Sequence, residues 1–181
     1  MSTQPAFLAR TTEEISRFAA PARSEAGGRI ILVPVDFSGH SASALVHAAT
    51  LAGLLPAALV ALHVVHDPGE MPGYYSRLIK KKRFDRIEDI AAEAFGEFMS
   101  RVAESCADDS SLQKARQLMV IGLPVSRILE VVNELNPFMV VMGSQGRTGI
   151  KHLIIGSKAA QVIQLCPVPV TIVKNGQGPG E

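Results

Sequence analysis

A chain of 181 residues is long enough for one well-packed domain and short for two. Its 47% hydrophobic and 19% charged residues predict a folded globular protein rather than a disordered one. A net charge of +1 gives no electrostatic footprint for nucleic acid. The most apolar window, 51–65, is interrupted by Pro56 and falls short of the roughly 18 residues that a membrane span needs.

Cysteine usage and the first residues predict the compartment. Cys106 and Cys166 have no CxxC partner, so we expect neither a metal knuckle nor a disulfide framework. No apolar signal segment follows Met1. Both observations predict a protein of the reducing cytoplasm.

The two ends of the chain differ in composition from the part between them. Ser, Thr, Ala, Pro and Arg predominate in residues 1–28. Thr11 and Glu14 have the spacing of a capping box ahead of Ile15, which predicts a short helix. We expect 1–28 to be a partly helical extension outside the core, and 175–181 to be a flexible polar tail.

Five apolar runs of strand length alternate with helical patterns between these ends. The predicted strands are 29–35, 58–65, 115–121, 138–142 and 167–173. The predicted helices run from Ser38 or Ser41 to about Leu55, over 74–106, from Pro124 to before Pro137, and over 159–166. The alternation predicts an α/β fold with one parallel sheet and helices on both faces. The mixed composition of 115–121 and the prolines of 167–173 predict positions towards the sheet edges.

In such sheets, ligands bind beyond the carboxyl ends of the strands. Asp36, Val64, Gly122 and Gly143 stand at those ends. The glycine loop 143–149 follows a strand and precedes a helix, so its backbone N–H groups can point at an anion. Its spacing is neither a Walker A nor a dinucleotide fingerprint. Glycines that supply positive φ in a tight structural loop are the alternative to a ligand cradle.

The spacing Gly143-x-x-Gly146, nine residues, then Gly156-Ser157 resembles the nucleotide-binding branch of the universal stress protein family. Further matches to the family lie in 33–38, 62–65, 120–124 and 166–170, so the resemblance covers the predicted domain, 29–174. It implies an adenine nucleotide alpha hydrolase-like fold, a doubly wound five-stranded sheet of order 3-2-1-4-5. The first and fourth strands would then lie side by side.

The resemblance also implies a site for ATP or another adenine nucleotide, with or without Mg²⁺. Asp36 corresponds to the acidic residue near the ribose and adenine, and could also help to hold Mg²⁺. Val64 corresponds to a main-chain contact of adenine, and Pro34 and Met142 to apolar walls. The full set of predicted ligand contacts is Pro34, Val35, Asp36, Val64, Met142, Gly143, Gly146, Arg147, Gly156, Ser157 and Lys158.

Several polar residues have two interpretations. Lys158 stands where the family more often has a small or β-branched residue, and it either meets a β- or γ-phosphate or points to water. The loop cations Arg147, Lys151 and His152 carry the same alternatives. Asp36 either contacts the ligand or only caps the next helix.

The histidines are expected to be structural or exposed. His63 and His66 would point to opposite faces of a strand, so shared metal ligation is not expected, and His63 is predicted to be satisfied by neighbouring groups. His40 and His47 are predicted to lie on the surface.

The sequence shows no catalytic triad, metal cluster or carboxylate pair. The resemblance to the family then implies a stress-response regulator whose interactions with unidentified protein partners depend on a bound nucleotide. As in the family, a homodimer would form through the last strand, Val168–Val173. The alternatives are a slow ATPase that uses Lys158, and a nucleotide-free dimeric interaction module.

Overall fold

The computed structural model describes residues 5–25, 27–65, 85–106, 109–146 and 155–174. The strands form one parallel sheet and are β1 (Phe7–Ala9), β2 (Ile30–Val35), β3 (Ala58–Val65), β4 (Arg116–Ile121), β5 (Met139–Gly143) and β6 (Val170–Val173). The helices of the described residues are α1 (Thr12–Glu25), α2 (Gly39–Leu54), α3 (Asp85–Ser105), α4 (Ser110–Gln113), α5 (Pro124–Leu135) and α6 (Ser157–Leu165).

The strand order is β1-β4-β3-β2-β5-β6. Without β1, this is the predicted order 3-2-1-4-5, which is confirmed. Strand β1 is a sixth strand, which was not predicted. Strands β2 and β5 are neighbours, with Ile31 opposite Met139 and Leu32 opposite Val140. The winding direction reverses at this pair, so a crevice opens beyond their carboxyl ends.

Helices cover both faces of the sheet and enclose two buried apolar clusters. Helices α2, α3 and α4 pack on one face, and α1, α5 and α6 on the other. Along β2, Ile31 and Val33 face the first cluster, whereas Ile30 and Leu32 face the second. Burial on both faces explains why this parallel strand is continuously apolar.

The expectation that residues 1–28 lie outside the core was wrong for the described part of that segment. β1 pairs with β4, with Phe7 opposite Leu118 and Ala9 opposite Val120. In α1, Ile15 is fully buried against the sheet and its helices. Strand β4 therefore lies inside the sheet, and its predicted position near an edge was also wrong.

The N-terminus of α1 has the predicted capping box. The Glu14 amide donates to Thr11 Oγ1 at 3.3 Å, and the Thr11 amide donates to Glu14 Oε2 at 3.2 Å. The Arg10 amide donates to the same carboxylate oxygen at 2.6 Å. The bond from Arg10, and then that from Thr11, lower the pKa of Glu14 below its usual value because they stabilise the charged form.

The other elements lie close to their predicted positions. Ser38 is the N-cap of α2, and Pro124 occupies the first turn of α5, as expected. The short helix α4 falls where the sequence indicated only a helix end. Of the predicted helix 74–106, the described residues form α3, and 66–84 lie outside the described residues.

We expect Ile15→Ala to lower the free energy of unfolding by about 2–5 kcal/mol, because it removes most of a fully buried side chain. Urea denaturation followed by circular dichroism measures this loss. Arg17→Ala, on the exposed face of the same helix, is the control and should stay within about 0.5 kcal/mol of the parent. Equal stability of the two variants would show that α1 does not unfold with the domain.

We expect Glu14→Gln to lower the melting temperature near neutral pH. A carboxyl whose folded-state pKa is lowered stabilises the fold above its unfolded pKa, and this stabilisation is lost as the pH falls through the folded-state pKa. The difference in melting temperature between parent and variant should therefore shrink as the pH falls below the usual range of a glutamate carboxyl. A difference that does not change between neutral and acidic pH would contradict the capping role of the charge.

Candidate functional site

Asp36 follows β2 at the carboxyl edge of the sheet, and one of its oxygens supports the next helix. Its Oδ1 accepts from the Ser38 amide at 3.2 Å and from the Ser38 hydroxyl at 2.6 Å. The Ser38 hydroxyl in turn accepts from the Ser41 amide at 3.2 Å. Asp36 therefore supports the N-cap residue Ser38 and does not cap α2 itself.

The next residue, Phe37, has an unusual backbone conformation. Its φ is +66°, a value that costs an L residue roughly 1–2 kcal/mol. The ring stacks on His63 with 4.2 Å between centroids. His63 Nδ1 lies 2.9 Å from the carbonyl oxygen of Val35, and must carry a proton because that oxygen can only accept. His63 is thus satisfied, as predicted. The conformation of Phe37 was not predicted, because no local pattern indicates it.

The glycine of β5, Gly143, is explained by packing. Neither Gly143, Gly146 nor Gly156 has a positive φ, so the tight-turn explanation fails for all three. A Cβ on Gly143 would lie 2.8 Å from the carbonyl carbon and oxygen of His40, in the first turn of α2. The close approach of helix to strand therefore requires a glycine here.

Gly146 lies against the second oxygen of Asp36. A Cβ at this position would be 2.8 Å from Asp36 Oδ2. The loop after β5 therefore passes directly beside the carboxylate that follows β2. Two predicted site residues, far apart in sequence, are brought together in this way.

No contact or backbone angle among the described residues explains why position 156 is a glycine. Its φ of −67° and ψ of 151° suit any residue. A Cβ would meet its nearest neighbours, in Gln145 and Ser144, at 3.6 Å, which is ordinary contact. The Gly156 amide donates to the Ser144 carbonyl at 2.7 Å and ties α6 to the loop after β5. Because glycine has no side chain, a ligand can approach the backbone closely at this position.

The N-terminus of α6 completes this edge. Gly156 is its N-cap and supplies no side chain to bond the first-turn amides. The first amides of a helix have no acceptor within it and carry a partial positive charge. Ser157 and Lys158, both exposed, add a hydroxyl and an ammonium group to this turn. The arrangement favours an anion.

Pro34 and Met142, the predicted apolar walls, share one face of the sheet with Val64, the predicted main-chain contact of adenine. Val64 and Met142 both belong to the cluster beneath α5 and α6. Pro34 faces the same side as Leu32, because alternate residues of a strand point the same way. The side chain of Val35 lies on the opposite face, in the cluster beneath α2 and α3. Only the main chain of Val35 can therefore contribute to this wall.

The two histidines of α2 differ from each other. His47 is exposed, as predicted. His40 is partly buried, and its Nδ1 is buried without a hydrogen-bond partner among the described residues. The expectation of a surface residue was therefore wrong for His40.

Some predicted residues cannot be placed. Arg147, Lys151 and His152 lie in 147–154, outside the described residues, and so does His66. Within the described ranges, no group of three or more His, Cys, Asp or Glu side chains could hold a metal ion. Nor does any helix in those ranges have the length and apolar character to cross a membrane.

Comparison with known proteins identifies the family. A sequence model of the universal stress protein family matches residues 28–174. Universal stress protein MJ0531 of Methanocaldococcus jannaschii is 29% identical over 144 residues, which are 80% of this chain and 81% of that protein.

Solved structures show the same fold. Protein MJ0577 of Methanocaldococcus jannaschii has a TM-score of 0.65 at 23% identity, with 83% of this chain and 98% of that one covered. The universal stress protein of Archaeoglobus fulgidus in complex with dAMP has a TM-score of 0.53 at 21% identity, with 81% and 97% covered. The chain belongs to the universal stress protein family.

Proposed function

We propose that this protein binds ATP or a related adenine nucleotide at the carboxyl edge of β2, β3 and β5. The observation that carries the proposal is Gly156, which lacks a side chain although neither its backbone conformation nor its contacts with the other described residues require this. It stands at the N-terminus of α6, where amides are available for phosphates. The dAMP complex of the Archaeoglobus fulgidus relative supports an adenine nucleotide as the ligand.

The described residues fit the parts of such a ligand. The first-turn amides of α6, with Ser157 and Lys158, would bind the phosphates. The Asp36 carboxylate, whose Oδ2 lies beside Gly146, would accept from the ribose hydroxyls. Any Mg²⁺ would be held through the phosphates. The main chain of Val64 would meet adenine, between walls formed by Pro34 and Met142.

The protein would act through binding rather than through turnover. Its described site offers amides, a carboxylate, a hydroxyl and a lysine, all of which can recognise a nucleotide. We propose that the nucleotide-bound state changes its interactions with protein partners in the cytoplasm, as a stress-response regulator.

We expect Gly156→Ala to raise the Kd for ATP about tenfold or more, because its methyl group would stand where the phosphates approach the backbone. The melting temperature should stay close to that of the parent, since the methyl group meets described atoms only at 3.6 Å or more. Isothermal titration calorimetry and thermal melting measure the two quantities.

Gly96→Ala is the matched control, because a Cβ at this position in α3 has nothing within 4 Å. It should leave the Kd for ATP unchanged. An unchanged Kd in Gly156→Ala would contradict the proposed phosphate position, and no saturable ATP binding by the parent would contradict the proposed function.

We also propose that two copies pair through β6. The amides of Val140 and Ser144 donate to the carbonyls of Pro169 and Val173 at 2.9 Å. Odd-numbered residues of β6 therefore bond to β5, and Val170 and Ile172 present their backbone groups to the other side. Among the described residues, no strand covers that side. An apolar edge with free backbone groups is suited to pairing with a second copy.

We expect Ile172→Pro to weaken the dimer at least tenfold, because proline removes an amide that faces outward while the bonds to β5 remain. Native mass spectrometry over a dilution series measures the dimer fraction. Ile172→Val keeps the amide and is the control. A dimer that survives Ile172→Pro at the parent's concentration range would place the interface elsewhere.

A further inference from the structure

The side chain of His63 contacts both residues that flank Asp36 in the chain. Before Asp36, the carbonyl oxygen of Val35 accepts from His63 Nδ1 at 2.9 Å. After it, the ring of Phe37 stacks on the same imidazole, with 4.2 Å between centroids and 24° between planes. His63 lies on β3, so the contacts join two strands at their carboxyl ends. The backbone on either side of Asp36 is thereby anchored to the neighbouring strand.

Phe37 needs such an anchor. A bulky residue at a φ of +66° returns to a negative φ unless its surroundings hold it. The rings of Phe95 and Phe98 on α3 lie 5.9 Å and 5.5 Å from the Phe37 ring and complete the enclosure. A change of φ at Phe37 would redirect the chain between β2 and α2. The Asp36 carboxylate would then leave its place beside Gly146.

Core packing alone does not call for a histidine at this position. An apolar ring would stack on Phe37 and contact Phe95 without placing polar nitrogen atoms beside them. The imidazole differs from such a ring by its Nδ1–H donor, which reaches Val35 while the flat face still stacks on Phe37. Both contacts of His63 act on Val35 and Phe37, the residues that flank Asp36.

We propose that His63 is a positioning residue of the nucleotide site, which aims Asp36 Oδ2 at the ribose hydroxyls by holding Val35 and Phe37. Oδ1 is bound by Ser38 and Oδ2 lies beside Gly146. The backbone on each side of Asp36 therefore sets where the carboxylate stands. The inference rests on the proposed function, because the ribose is the group that Asp36 would meet.

Two variants separate the contacts of His63. His63→Phe keeps a flat ring for Phe37 and lacks the donor, whereas His63→Asn keeps a donor near the position of Nδ1 and lacks the ring. The test compares the Kd for ATP with the Kd for 2′,3′-dideoxy-ATP, which has no ribose hydroxyls. The ratio of the two constants reports the ribose contact alone.

The parent is expected to prefer ATP by about tenfold or more, the effect of hydrogen bonds to a charged group. Each His63 variant should lose about fivefold or more of this preference, with the Kd for dideoxy-ATP unchanged. Asp36→Asn should lose the preference as well, and the double variants should lose no more than Asp36→Asn alone. His47→Asn, at an exposed histidine of α2, is the matched control and should keep the parent's preference.

A second readout needs no ligand. The ¹³Cγ resonance of Asp36 in the free protein should shift in both His63 variants and stay in place in His47→Asn. If the parent binds no ATP, the proposed function fails and this resonance alone decides whether His63 positions Asp36. Thermal melting confirms that the variants fold.

Several results would overturn the inference. A folded His63 variant that keeps the parent's preference for ATP over dideoxy-ATP would overturn it. An Asp36 ¹³Cγ resonance that does not shift in either His63 variant would also overturn it. A ribose preference that Asp36→Asn leaves intact shows that Asp36 is not the contact. If neither His63 variant folds, His63 serves the stability of the fold and the positioning role is rejected.

Discussion

The close approach of α2 to the end of β5 is the constraint on which the candidate site depends. Gly143 lets the first turn of the helix rest on the strand, with no space for a Cβ between Gly143 and the His40 backbone. Because α2 starts directly after Asp36 and Ser38, this contact sets the distance between the end of β2 and the loop after β5. A larger residue at 143 would push the first turn of α2 away from the end of β5.

Asp36 shows how one side chain serves the fold and the site together. Its Oδ1 stabilises the beginning of α2 through Ser38, and this bond prevents free rotation of the carboxylate. Its Oδ2 then has a defined direction, towards Gly146. A carboxylate that is already oriented loses little conformational entropy when a partner arrives. The support that Asp36 gives to α2 is therefore compatible with the proposed ligand contact.

The sequence predicted the sheet because its strands carry strong local signals. The runs 30–35 and 58–65 are almost wholly apolar, and Pro56, Pro124 and Pro137 mark the ends of elements. β1 was missed because three residues are too few to show a pattern. The buried positions of α1 do recur three and four residues apart, but a periodic helix does not reveal which surface it will cover.

The sequence could group the glycines of the candidate site, but it could not show what surrounds each of them. Spacing marked Gly143, Gly146 and Gly156 as one group, yet the structure gives each a different surrounding: a helix backbone, a carboxylate, and ordinary contact with the loop after β5. These depend on contacts between distant segments, which no local pattern contains. The positive φ of Phe37 is a similar case, since phenylalanine itself disfavours it and the aromatic neighbours from β3 and α3 impose it.

The short strand β1 has a consequence for assembly. Among the described strands, it leaves the sheet with unequal borders, three residues of strand at one border and the longer β6 at the other. A border strand of three residues presents few backbone groups to another sheet, which limits edge-to-edge pairing at that border. The N-terminal segment thus covers the core and also ends the sheet in a short edge strand.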